Sequence, residues 1–144
     1  TAGFAIAAVV CRPIGGILSD RIGPRAVMII SLIGAAVMAI VLALKLPPEI
    51  PAGTAFVLMA VFLGLGTGAV FAWVAQLAPA EKVGTVTGIV GAAGGLGGYF
   101  PPLVMGATYD EETHSYTIGL ILLCATAVVT LIYVLFGLKK KQPA

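Results

Sequence analysis

One charged residue in this chain stands apart from the rest. Arg12 lies inside the apolar run Ala5-Ile-Ala-Ala-Val-Val-Cys-Arg-Pro-Ile-Gly-Gly-Ile-Leu18, and no Asp, Glu or His occupies a comparable depth in any other apolar run. An arginine at the centre of a membrane helix costs about 2.5–3.5 kcal/mol on insertion scales, so it needs a partner or an aqueous cavity. Three arrangements would satisfy it. The guanidinium can face a cavity and bind a planar oxyanion through two parallel hydrogen bonds. It can snorkel past Ser19, about 10 Å of helix rise away, to reach the headgroups. It can also pair with a carboxylate elsewhere in a longer protein.

A second stretch could shape such a cavity. Gly84 to Gly106 is uncharged, long enough to cross a bilayer and dense in glycine. Each interior glycine weakens a soluble helix by about 0.8–1.0 kcal/mol relative to alanine. In a membrane the same residues let helix backbones approach closely, and Gly84/Gly88, Gly91/Gly95 and Gly94/Gly98 all have the small-xxx-small spacing. This helix reads as one wall of a narrow solute path. Packing alone is the simpler role for Gly84, Gly88 and Gly106. Tyr99, Phe100 and Pro101-Pro102 then mark a bend or gate, because proline removes helix hydrogen bonds. Gly64-Leu-Gly-Thr-Gly-Ala69 matches G-x-G-x-x-A in letters only, since no strand or ribose-binding acid accompanies it. Gly64/Gly68 reads as helix packing, and Trp73 as an interfacial or cavity-lining aromatic.

These residues need helices to hold them. Of 144 residues 60% are hydrophobic and 10% charged, with mean hydropathy +1.11, whereas soluble domains carry about 25% charged residues. Five apolar segments follow one another, at about 1–18, 26–46, 54–78, 83–108 and 116–138, with a basic tail over 139–144. All should be helices, because an open strand in lipid leaves backbone groups unpaired. The fold class is therefore all-α, a polytopic membrane helix bundle. Arg21, Arg25, Lys82 and Lys139-Lys140-Lys141 fall on one side, while Lys45 stands alone among the bases of the other. That asymmetry puts the C-terminus in the cytoplasm, and the expected location is the inner (plasma) membrane, multi-pass. Scattered basic residues give no surface for nucleic acid. Cys11 and Cys124 lack metal spacing and read as small buried hydrophobes. His114 reads as a solvated loop residue. With no converging His, Cys or acid pair in the spans, neither an enzyme nor a cofactor or metal site is expected. The chain lacks an initiator Met and opens mid-helix in character, so it reads as a piece of a longer protein.

Two motifs carry a family resemblance. Gly16-Ile-Leu-Ser-Asp-Arg-Ile-Gly-Pro-Arg25 resembles the G-x-L-x-D-R-x-G loop of the major facilitator superfamily. Gly91-Ala-Ala-Gly-Gly-Leu-Gly-Gly-Tyr-Phe-Pro-Pro102 resembles the second nitrate signature of its nitrate/nitrite porter (NarK-type) family. Cys11-Arg12-Pro13 ahead of the loop motif fits the same family. The resemblance implies the C-terminal half of such a transporter, helices eight to twelve, working as a monomer with the absent N-terminal half. It implies nitrate and nitrite as substrates, carried by alternating access. Arg12 would be one of two substrate-binding arginines, with the backbone at Gly91, Gly94, Gly95, Gly97 and Gly98 closing on the anion or on a partner helix. Gly16, Asp20, Arg21, Gly23 and Arg25 would form the loop that stabilises one access state. Another small anion, or a non-transporting structural subunit, is the competing expectation.

Overall fold

The computed structural model describes residues 2–44, 50–109 and 117–137. Lys45, Glu49, the loop Asp110 to Tyr116 with His114, and the tail from Leu138 lie outside them. Five helices run α1 (Ala2–Ile22), α2 (Pro24–Ala43), α3 (Ile50–Leu77), α4 (Val83–Ala107) and α5 (Thr117–Ile132). A 3-10 turn, Ala80–Lys82, leads into α4, and a π-helical turn, Tyr133–Gly137, continues α5. Each of the five, α5 together with its π-helical turn, is long and apolar enough to cross a membrane, and no strand occurs among the described residues.

The first break is tighter than the sequence suggests. Ser19, Asp20 and Arg21 remain helical, and Gly23 alone separates α1 from α2. Ser19 is buried and its Oγ donates 2.7 Å to the Gly15 carbonyl, so its polar group is satisfied within the helix. Gly23 then turns the chain at φ 90°, a left-handed value open to glycine. Pro24 follows as the first residue of α2, where its missing N–H removes nothing from the helix. Asp20 neither caps α2 nor bonds any described residue; it is exposed.

α3 is the hub. It packs along α1 on one side and α2 on another, and α2 in turn packs on α5. The core is small-chained, with Ala35, Ala36, Ala39, Ala55, Ala60 and Ala69 buried, as expected where lipid supplies no hydrophobic drive and helices associate by close contact. The closest backbone approach is between α1 and α3. A Cβ on Gly15 would run into the Leu65 carbonyl, one on Gly64 into the Ala8 carbonyl, and one on Gly68 into the Arg12 carbonyl. On the opposite side, Ser31 Oγ of α2 donates to the Phe62 carbonyl of α3, directly beside Gly66.

The glycine-dense α4 behaves differently. A Cβ at Gly84, Gly88, Gly91, Gly94, Gly95, Gly97, Gly98 or Gly106 would meet nothing within 4 Å. The packing expected of Gly64 and Gly68, one turn apart on α3, is met against α1. The helix also runs unbroken through Pro101 and Pro102.

Candidate functional site

A cavity of about 590 Å³ opens among all five helices. α1 contributes Arg12, α2 contributes Met28, Ser31 and Leu32, and α5 contributes Thr130. From α3 come Leu63, Gly66, Thr67, Val70 and Phe71; from α4 come Val90, Gly91, Gly94 and Gly95. The three glycines fall at i, i+3 and i+4, which places them on one helix face. With no side chains they leave that wall flat.

Arg12 is the one ionisable residue on the lining. It is exposed, and among the described residues it makes no hydrogen bond or ion pair. The lining hydroxyls are already engaged as donors. Ser31 Oγ donates to the Phe62 carbonyl, Thr67 Oγ1 to the Leu63 carbonyl at 2.9 Å, and Thr130 Oγ1 to the Thr126 carbonyl at 2.8 Å. In this part of the wall only the guanidinium keeps N–H donors free, and it holds five in a planar fork. A cation with unused donors beside an apolar, flat-walled space can hold an anion.

The other site residues read from sequence are dispersed. Gly97 and Gly98 follow on α4 but do not line the cavity. Tyr99 and Phe100 are exposed and meet edge to face with ring centroids 6.3 Å apart, also off the lining. Trp73 is half-buried on α3 and likewise off it. In the loop motif, Gly16, Asp20 and Arg21 belong to the last turns of α1, Gly23 forms the turn, and Arg25 lies in the first turn of α2. Arg25 reaches across the bundle, its Nη2 donating 2.7 Å to the Leu135 carbonyl in the π-turn after α5. Its Nε is buried without a described partner.

Sequence reasoning missed Ser31, Thr67, Thr130 and Phe71 on the cavity wall. A polar residue inside an apolar helix was the available signal for the first three.

The model of the Major Facilitator Superfamily matches residues 1–144 of the chain. The chain belongs to the Major Facilitator Superfamily. It is accordingly an integral, multi-pass membrane protein. Within the superfamily it is 63% identical over 133 residues to the probable nitrate/nitrite transporter NarK2 of Mycobacterium tuberculosis, covering 92% of this chain and 34% of that protein. It is 34% identical over 140 residues to the nitrite extrusion protein of Bacillus subtilis, covering 94% of this chain and 34% of that one. The probable nitrate transporter NarT of Staphylococcus haemolyticus is 37% identical over 134 residues, or 90% and 33% of the two chains. The chain thus spans about a third of the length of the curated facilitator relatives it matches. No solved structure matches it.

Proposed function

We propose that this chain is the C-terminal helix set of a transporter that moves nitrate and nitrite across the cell's inner membrane by alternating access. One observation carries the reading. Arg12, with no partner among the described residues, lines one cavity with the bare backbone of Gly91, Gly94 and Gly95. Nitrate is small, flat and singly charged. A guanidinium supplies the charge and the fork, while a side-chain-free helix face lets the wall close on a thin solute. The names of the relatives support the same substrate class. The preceding part of the full-length protein completes the site and provides the half against which this one rocks. Gly97, Gly98, Tyr99 and Phe100, further along α4, belong to the part of the path nearer the non-cytoplasmic side. The working unit is a monomer, the C-terminus faces the cytoplasm, and the solute leaves chemically unchanged.

The test uses the full-length protein in proteoliposomes. Arg12→Ala should abolish nitrate and nitrite flux, and Arg12→Lys should nearly do so, because a point charge cannot reproduce the fork. Uptake by Arg12→Ala at the native rate and KM would remove the arginine from the site. Competition by nitrate, nitrite, formate and chlorate in the native protein separates this substrate class from other small anions. Internal nitrite, or an imposed pH gradient, distinguishes exchange from proton-coupled uptake.

A further inference from the structure

The geometry points to Gly68 as the positioning residue for Arg12, a role that rests on the anion site proposed above. One turn of α3 does two things at once. Thr67, Val70 and Phe71 line the cavity, while Gly68, between them in sequence, lies against α1. A Cβ added at Gly68 would meet the carbonyl oxygen of Arg12 itself and come within 2.8 Å of the Gly16 nitrogen. Both neighbours are helix backbone, so no rotamer change can make room. The same stretch of α1 rests on α3 through Gly15, whose added Cβ would meet the Leu65 backbone.

The consequence concerns the site more than the fold. The Arg12 side chain leaves α1 at the residue whose carbonyl touches Gly68, so the α1–α3 separation at that level fixes where the guanidinium sits relative to Thr67, Val70 and Phe71. Absence of a side chain at Gly68 thereby sets the width of the cavity on its charged side. The glycines of α4 stand apart from this contact, since a Cβ on any of them would meet no described residue within 4 Å. Binding that depends on a fork aimed at a small anion is sensitive to displacement, because two parallel hydrogen bonds form only in one geometry.

Two measurements on the full-length protein test this. Nitrate transport by Gly68→Ala should show KM raised at least about tenfold with kcat changed much less. Gly34→Ala is the packing control, because its Cβ would meet the Phe62 ring on the α2 side of the same helix; its KM should stay within about twofold of native. Should Gly68→Ala fail to fold, Gly15→Ala presses on the same interface from α1 and should raise KM in the same direction. The second measurement needs no nitrate. In a cysteine-free background carrying Arg12→Cys, the rate of labelling by a methanethiosulfonate reagent should change at least about fivefold when Gly68→Ala is added. A native KM in a folded Gly68→Ala or Gly15→Ala protein overturns the proposal. So does an equal KM rise in Gly34→Ala, or an unchanged labelling rate. If the native protein moves neither nitrate nor nitrite, the substrate reading fails instead, and the labelling comparison alone decides the role of Gly68.

Discussion

Ser31 shows what one hydroxyl can do in a helix that is otherwise apolar. It is buried, donates to the Phe62 carbonyl of the neighbouring helix and lies where a Cβ on Gly66 would fall. Interhelical hydrogen bonds in membranes average about 0.6 kcal/mol and reach about 1.7 kcal/mol, so Ser31→Ala alone should cost the full-length protein about that much in detergent unfolding. Gly66→Ala should cost more, since its new methyl group meets Ser31 Oγ. The double variant should recover part of that loss, because removing Oγ frees the space; additive losses would show that the two residues do not touch. At this scale the sequence was half legible. Arg12 could be found from charge alone, because any ionisable group in an apolar run is conspicuous. Ser31, Thr67, Thr130 and Phe71 could not be assigned to the cavity, because a helix apolar all round does not say which face meets which neighbour.

Among the elements, α3 and α4 exchange the roles that glycine content alone suggests. α4 has the longer glycine run, yet its one close approach among the described residues is through Met105, which a Cβ on Gly119 of α5 would meet, while α3 uses Gly64 and Gly68 against α1. Spacing identifies a helix able to pack closely; only the partner's own small residues, here Gly15, decide whether it does. The Arg25 contact was equally hidden, because Leu135 is 110 residues away and offers only a carbonyl. This bond ties the start of α2 to the end of α5, where the terminal carbonyls carry partial negative charge. A hydrogen bond from a charged donor contributes about 1.5–3 kcal/mol. Arg25→Ala should therefore lower the thermal midpoint of the full-length protein measurably, while Arg25→Lys should recover only part of it. A midpoint unchanged by Arg25→Ala would show that the bond contributes nothing to holding α5.

For the molecule as a whole, the five spans were readable because hydropathy and proline breaks are local signals, and lipid admits few alternatives to helix. The exposed ridge of Ile6, Val9, Val10, Ile14 and Ile17 on α1 suits burial in lipid or against the rest of the transporter. The proposed orientation makes a direct prediction. Lys82→Cys, in the turn before α4, should react with a membrane-impermeant maleimide only when the reagent has access to the cytoplasmic side; labelling in intact cells would invert the topology. The turn at Gly23 has one more consequence for the whole. With a single residue between two long helices, the backbone of Gly23 alone sets how α2 leaves α1. Adding or deleting a residue there would remove the one left-handed position that closes the turn, and α2 would leave α1 at a different angle. Ser31 against α3, and Met28 and Leu32 on the cavity, would all feel that change together. The corner therefore resists both a change of length and a side chain at Gly23, and the part of the site that α2 carries depends on it.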